Sequence, residues 1–354
     1  MVTQHDTPRA GTPADQPVPL ASDRGRRRLP ALLQARPQRL DRRYVPLAGA
    51  LLVFGAMLLI GGLRYDNFLS GAVMSNLFIN YAFLIVIAVG MTFVILTGGI
   101  DLSVGAVAAL SGILAAYLFQ SGWPAPVVIP LVVLVGSLIG LVVGVMIHYF
   151  EVQPFIATLA AMFLARGLCY VISLSAIPIT NETIVAISGT RWTFGDGWAI
   201  TPSVVIALAV VAVAVVVLHL TRFGRTVYAI GGGEGSALLM GLAVARTKVA
   251  VYVISGTCSG IGGFLFAASS RSGYSLMGVG LELDAIAAVV IGGTLLVGGS
   301  GYVLGSVLGV LELGLIQTII TFEGTLSSWW TRIVIGALLL AFVVLQRALS
   351  LGRR

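Results

Sequence analysis

Few side chains in this chain are suited to covalent or acid–base chemistry. The only lysine, Lys248, follows Thr247, so the GK[ST] sequence of a phosphate-binding P-loop does not occur. The three histidines, His5, His148 and His219, are scattered, and no HExxH or similar metal-ligand spacing is present. The sequence therefore predicts no catalytic site and no cofactor or metal site. Any ATP hydrolysis would be carried out by another chain.

The charged residues inside apolar stretches are few. Asp101 and Asp284 lie near the starts of predicted helices, and Glu312 and Arg166 lie near the middle of two others. A charge at the bilayer centre costs about 2.5–3.5 kcal/mol unless it is paired or hydrated, so a buried Glu312–Arg166 pair is one hypothesis. So small a set of titratable groups disfavours a proton-coupled pump. It favours a pathway for a neutral polar solute, with energy supplied by another subunit.

The composition indicates the class of protein to which these groups belong. Of the 354 residues, 58% are hydrophobic and only 10% are charged, whereas an ordinary soluble domain has about 25% charged residues. This excludes a soluble enzyme. The net charge of +7 comes from arginine, which is concentrated before residue 44 and forms no recurring basic helix face. The charge therefore indicates a membrane protein and no nucleic-acid partner.

The apolar runs predict an all-α, polytopic bundle of about ten transmembrane helices, since about 20 residues cross the hydrocarbon. SGWPAP (121–126) divides the long uncharged run 102–150 into two spans. The glycine-rich zone 292–309 is a candidate place for a broken helix. The predicted spans are 45–63, 72–97, two within 102–150, 154–176, 202–220, 249–270, 283–299, 302–321 and 329–346.

Arginine distribution predicts that both termini are cytoplasmic, because basic residues are retained on that side. With ten spans, 16 basic residues fall in cytoplasmic segments and three in external loops. The domains expected are a disordered basic cytoplasmic tail (1–44), a membrane domain (45–346) and a cytoplasmic tail (347–354). A cleaved signal peptide is the alternative for the N-terminus, but no convincing cleavage site follows its apolar region.

The longest internal cytoplasmic segment is 221–248. Its core, GGGEGSALLMGLAVAR (231–246), predicts a glycine hinge and then a short helix that begins near Gly235 or Ser236. Such a helix exposing apolar residues to the cytosol is best explained by docking into a groove on a partner. The alternative is a helix lying on its own membrane domain. The apolar surface would consist of Leu238, Leu239, Met240 and Leu242.

A faint internal repeat relates two parts of the chain. GIDLSVGAVAALSG (99–112) aligns without gaps on GLELDAIAAVVIGG, with Asp101 on Glu282 and Gly112 on Gly293. The predicted topology places Asp101 inside and Glu282 outside, as expected for an inverted repeat that relates helices two to five to helices seven to ten. Chance similarity between apolar segments is the alternative.

Five segments of the chain carry a resemblance to a known family. They are AVGMTFVILTGGIDLSVG (88–105), PFIATLAAMFLARG (154–167), TRFGRTVYAIGG (221–232), ELDAIAAVVIGGTLLVGGSG (282–301) and GTLSSWWTRI (324–333). These segments closely resemble the permease subunits of bacterial ABC sugar importers of the ribose and galactofuranose class, and the resemblance covers about 45–346. GTLSSWWT is most similar to the galactofuranose permease subgroup. Residues 1–44 have no counterpart in this resemblance.

The resemblance implies an inner-membrane permease that works by alternating access. It further implies a second permease chain, alike or different, an extracytoplasmic sugar-binding protein and an ATPase subunit with two fused nucleotide-binding domains. By the same analogy, segment 221–248 carries the helix that couples to the ATPase. The coupling residues expected are Gly233, Glu234, Leu238, Leu239, Met240 and Gly241.

A sugar needs neutral hydrogen-bonding groups along its route, set against apolar walls. Asn76 and Asn80 are four residues apart and share one helical face. For each candidate, a hydrogen bond that only holds the bundle together is an equally good explanation. The predicted path residues on the second helix and at its exit are Asn76, Asn80, Thr92, Thr97, Asp101 and Ser103.

Two other functions fit parts of the sequence. An ABC permease for branched-chain amino acids or nucleosides is the first, although an amino acid would be expected to meet compensating charges, which are scarce here. A stand-alone secondary carrier is the second, and it would need no cytosolic partner. ATP-dependence of uptake separates the carrier from the importer.

Overall fold

A computed structural model provides the structure of the chain and describes residues 45–325 and 329–351. The predicted tail 1–44 lies outside the described residues, as do 352–354, while the backbone of 347–351 continues the last helix. The described part contains thirteen α-helices. They are α1 (Val45–Arg64), α2 (Gly71–Leu96), α3 (Val104–Gln120), α4 (Ala125–Tyr149), α5 (Pro154–Ile172), α6 (Glu182–Gly189), α7 (Pro202–Leu220), α8 (Arg222–Gly232), α9 (Glu234–Leu239), α10 (Val244–Ser270), α11 (Leu281–Ile291), α12 (Val303–Glu323) and α13 (Trp329–Leu351).

Nine of the ten predicted spans correspond to helices of about the predicted position, namely α1 to α5, α7, α10, α12 and α13. Seven of the described helices are long and apolar enough to cross a membrane. The two shorter apolar ones are α3 and the part of α13 from Trp329 to Val344. The all-α, polytopic class predicted from the sequence is therefore confirmed.

The eighth predicted span, 283–299, is wrong as a full crossing. Its helix, α11, has 11 residues, which rise about 16 Å, roughly half of the hydrocarbon thickness. Residues 292–302 are not helical. Gly298 and Gly299 have φ of 86° and 75°, which glycine adopts without the steric cost that a Cβ would bring. The break falls within the glycine-rich zone that the sequence indicated.

The chain between α10 and α11 returns into the bundle beside α3. Gly278 packs on Gly105 at the start of α3, and the carboxylate of Glu282 also lies against Gly105. Asp101, just before α3, is bonded to Ser255 near the middle of α10. The prediction that Asp101 lies inside and Glu282 outside is therefore wrong. Both residues lie within the bundle, where the break between α2 and α3 meets the segment that returns between α10 and α11.

The centre of the bundle is α10, which packs antiparallel against α2 and α4 and parallel to α3. Small residues allow the backbones to approach closely, since lipid provides no hydrophobic force between helices. The close contacts between α4 and α10 are Gly136 with Gly256, Gly140 with Tyr252, and Gly144 with Val249.

Helix contacts follow the predicted repeat, in which α2, α3, α4 and α5 correspond to α10, α11, α12 and α13. Packing of α10 on α4 is matched by packing of α2 on α12, and packing of α10 on α3 by packing of α2 on α11. The contacts of α5 with α3 and of α13 with α11 form another matched pair. This correspondence supports the repeat over chance similarity, although α11 is broken where α3 is continuous.

The described residues also contain two small antiparallel pairs of strands. β1 (Ile177–Pro178) pairs with β4 (Ser272–Gly273), and β2 (Trp192–Thr193) pairs with β3 (Ala199–Ile200). Three of these strands, with α6, lie in the segment between α5 and α7. In the predicted orientation, this segment is external.

Candidate functional site

The predicted cytoplasmic segment 221–248 consists of α8, α9 and the first turn of α10. Gly233 separates α8 from α9, and Gly241, with φ of 72°, follows the end of α9. The hinge and the short helix were both predicted from the sequence. The helix begins at Glu234, slightly earlier than the predicted start.

α9 and the residue that caps its C-terminus, Met240, expose a continuous apolar surface. Leu238, Leu239 and Met240 are 56%, 92% and 65% exposed. Ala237 is fully buried and anchors α9 in a small cluster with α8 and α10. Leu242 packs against that cluster, so the prediction that it belongs to the exposed surface is wrong. The three consecutive exposed side chains form what we call the α9 surface.

An ion pair ties α9 to α10. Lys248 Nζ donates to both carboxylate oxygens of Glu234, at 2.9 and 3.0 Å. Pairs exposed to solvent contribute only about 0–1 kcal/mol. The pair therefore orients α9 without contributing much to the stability of the whole protein.

α8 lies directly against the break after α2 and the break after α11. Gly231 packs on the carbonyl of Leu96 at the end of α2 and on Gly299 in the break after α11. The N–H of Gly299 in turn donates to the Leu96 carbonyl at 2.9 Å. Tyr228 Oη donates to the Gly301 carbonyl at 2.7 Å, and burial raises the pKa of this phenol above its ordinary value. Movement of α8 would therefore be transmitted to both breaks.

The predicted path residues fall into two groups. Asn76 and Asn80 are exposed on one face of α2, as their spacing predicted, and Arg191 Nη2 donates to Asn76 Oδ1 at 3.3 Å. Thr97 is half-buried and donates to the carbonyl of Val94 at 2.7 Å, within the end of its own helix.

The other three path candidates lie in helix packing. Thr92 is buried and bonds to Ser306 on α12 at 2.7 Å. Asp101 accepts bonds from the N–H and hydroxyl of Ser103, at 2.9 and 2.6 Å, and from the hydroxyl of Ser255 at 2.7 Å. The bonds of Thr92 and Asp101 join helices in this conformation, whereas the hydroxyl of Ser103 bonds to Asp101, two residues away. The assignment of these residues to the sugar path stays a prediction.

The hypothesis of a Glu312–Arg166 pair is wrong. Arg166 donates to the carbonyl oxygens of Ser275 and Met277, at 2.6 and 2.9 Å, and so holds the segment that returns into the bundle. Glu312 is fully buried on α12, in the region where α12 packs on α1.

A polar cavity of about 350 Å³ lies between α2, α11, α12 and α13. Sequence reasoning missed this cavity, because its walls come from four helices that are distant along the chain. One signal was available: GTLSSWWTRI (324–333) places polar and aromatic residues at the start of the last helix. The polar and aromatic residues lining the cavity are Tyr81, Asp284, Gln317, Trp329, Thr331 and Arg332.

A bundle of membrane-crossing helices with broken helices at its centre and a polar cavity defines a multi-pass membrane transport protein. The chain belongs to the family described as branched-chain amino acid transport system / permease component, whose model matches residues 73–343. No solved structure matches the chain significantly.

Relatives with known names cover most of the chain. The chain is 45% identical to the inner membrane ABC transporter permease protein YjfF of Escherichia coli, over 87% of this chain and 94% of the relative. It is 43% identical to the fructose import permease protein FruG of Bifidobacterium longum, over 88% and 93%. It is 39% identical to the ribose import permease protein RbsC of Bacillus subtilis, over 83% and 90%.

These findings make the chain a permease subunit of an ABC importer and a multi-pass protein of the inner membrane. It is a transport subunit and not an enzyme, since ATP is hydrolysed by a separate subunit of such systems. An ATPase and a substrate-binding protein are therefore its partners.

Proposed function

We propose that this permease carries a monosaccharide into the cell by alternating access, driven by an ATPase that docks on the α9 surface. Two of the relatives described above are named as import permeases for fructose and for ribose. The sugar itself would cross unchanged, since transport requires only that the path open alternately to the two sides.

The observation that carries the coupling mechanism is the exposure of Leu238, Leu239 and Met240 on a helix anchored by Ala237. Three adjacent apolar side chains facing water are unfavourable unless a partner covers them. Because α8 contacts both helix breaks, a pull on α9 would reach the membrane interior through α8. This supports a mechanism in which ATP-driven closure of the ATPase moves α9 and α8 and so opens the path.

The finer composition of the complex follows from the resemblance of the sequence motifs. We include in the proposal a second permease chain, alike or different, and an ATPase with two fused nucleotide-binding domains. Galactofuranose belongs among the candidate sugars, because GTLSSWWT (324–331) is similar to the galactofuranose subgroup. Galactofuranose systems usually pair two different permeases, so a heterodimer is the arrangement to test first.

Transport of a branched-chain amino acid or nucleoside is the competing function, and the family description names branched-chain amino acids. The names of the relatives favour a sugar. A direct comparison of cargoes separates the two.

The test is uptake by proteoliposomes that contain the chain with the ATPase, binding protein and second permease of the same transport system. The substrates are ribose, fructose, galactofuranose and leucine. We expect ATP-dependent accumulation of a sugar. ATP-independent uptake, or uptake of leucine alone, would contradict the proposal.

Leu239→Glu tests the coupling step in the same assay. We expect uptake and sugar-stimulated ATPase activity to fall about tenfold or more, which corresponds to the loss of about 1.4 kcal/mol of docking free energy. Leu174→Glu is the matched control, because Leu174 is 83% exposed in the predicted external segment. Equal effects of the two variants would argue against docking at α9.

A further inference from the structure

The polar cavity combines hydrogen-bonding groups of both kinds. Asp284 accepts, Arg332 donates, and Gln317 does both. Its volume of about 350 Å³ is at the lower end of the range of about 300–1,000 Å³ for small-molecule sites. The cavity is therefore of a size for one small polar molecule.

Gln317 is held in one orientation. The hydroxyl of Thr331, which is buried, donates to Gln317 Oε1 at 2.6 Å. This bond uses the amide oxygen and leaves the amide N–H groups available as donors toward the cavity. A donor that is already oriented loses less entropy when it binds a ligand.

Two aromatic residues complete the walls. Tyr81 packs closely on Gly314, where any side chain would meet the tyrosine ring. Trp329 is 71% exposed and borders the cavity at the start of α13. An exposed indole next to hydrogen-bonding groups suits a ligand with both an apolar face and hydroxyl groups.

The cavity also continues the face of α2 predicted from the sequence. Asn76, Asn80 and Leu84 follow one another at intervals of four residues, and Leu84 lines the cavity. Arg332 also lies beside Gly280, at the break that precedes α11. A molecule in the cavity would therefore contact both halves of the repeat, α2 in the first and α11 to α13 in the second.

We propose that this cavity is a binding site for one neutral sugar ring on its way through the permease. Asp284, Gln317 and Arg332 would bond to ring hydroxyls, and Trp329 would cover the C–H face. The inference rests on the proposed function and adds that the permease itself, and not only the binding protein, recognises the cargo. The opposite charges of Asp284 and Arg332 give these two groups no net charge, which fits a neutral sugar. A zwitterionic amino acid would fit as well, and leucine is included in the labelling test below to separate the two.

The test uses the complete reconstituted transporter and the sugar that the wild type transports. For Gln317→Leu and Asp284→Asn, we expect uptake to fall roughly two- to tenfold, the loss for one or two hydrogen bonds. Uptake is normalised to the amount of folded transporter, because Gln317→Leu also leaves the buried hydroxyl of Thr331 without its acceptor. The matched controls are Gln120→Leu and Asp196→Asn, which alter exposed residues away from the cavity.

A second measurement covers the case in which a cavity variant fails to fold. Trp329→Cys is labelled with a maleimide, since both native cysteines are buried. We expect the transported sugar to slow labelling several-fold and leucine to leave it unchanged. Protection by leucine and not by the sugar would overturn the inference.

The two proposals fail in different ways. If the wild type accumulates no sugar with ATP, the proposed function is wrong. If the wild type transports the sugar while both cavity variants match their controls and the sugar gives Trp329→Cys no protection, only the cavity assignment is wrong.

Discussion

Asp101 illustrates how a buried carboxylate is satisfied within the membrane domain. Its two oxygens accept three hydrogen bonds, two from Ser103 and one from Ser255 on α10. The residue joins the start of α3 to the centre of the bundle. A carboxylate with its acceptor sites used in this way contributes to stability, whatever role it has in the path.

We therefore expect replacement of this carboxylate to lower the stability of the protein. Asp101→Ala leaves the hydroxyl of Ser255 and the groups of Ser103 without their acceptor, which costs roughly 1–3 kcal/mol. We expect a clear drop in the thermal unfolding midpoint of the detergent-solubilised protein. Ser255→Ala removes one bond and should cost less. If Asp101→Ala unfolds like the wild type but transports nothing, Asp101 lines the path.

Spacing along the sequence predicts which side chains share a helical face, but it does not predict their partners on other helices. The spacing of Asn76 and Asn80 was enough to place them on one face of α2, and the structure shows that both are exposed. The partner of Thr92 was not predictable, because Ser306 is 214 residues away along the chain. The polar cavity was missed for the same reason, since one wall is formed by Tyr81 and another by Trp329.

At the level of elements, hydropathy predicted nine helices well and failed at α11. Residues 285–299 include no charged side chain, so their composition does not distinguish a full crossing from a half-crossing. The break persists because neighbouring backbone groups satisfy it, as in the bond from Gly299 N–H to the Leu96 carbonyl. That partner belongs to α2 and cannot be read from the local sequence.

Because α11 and α12 pack closely, we expect one methyl group added at Gly309 on α12 to lower the stability of the protein. A Cβ on Gly309 would overlap the backbone carbonyl of Ala288. We expect Gly309→Ala to destabilise the protein by about 1–3 kcal/mol, since backbone cannot move aside as a side chain can. Gly336→Ala on α13 is the control, with no atom within 4 Å of its added Cβ. Unfolding midpoints in detergent compare the two; equal midpoints would contradict this packing.

For the whole molecule, the important arrangement is that the two repeats meet at one segment, 221–248, which is predicted to be cytoplasmic. α2 and α10 occupy equivalent positions, and the break after α2 and the break after α11 both rest on α8. The sequence revealed the repeat only through GIDLSVG and GLELDAI, because most positions in a lipid-embedded helix need only be apolar. The charge asymmetry across the predicted membrane was a stronger signal, and it predicts the side on which α9 lies.

Cysteine labelling tests that orientation in intact membranes. Leu239→Cys and Leu174→Cys each place one accessible thiol at an exposed position, since native Cys169 and Cys258 are buried. A membrane-impermeant maleimide should label Leu174→Cys in spheroplasts and Leu239→Cys only in inside-out vesicles. Because each helix crossing reverses the side, an error of one in the number of spans between these positions would place both on the same side. Labelling of Leu239→Cys in sealed spheroplasts would therefore exclude an ATPase-docking role for α9.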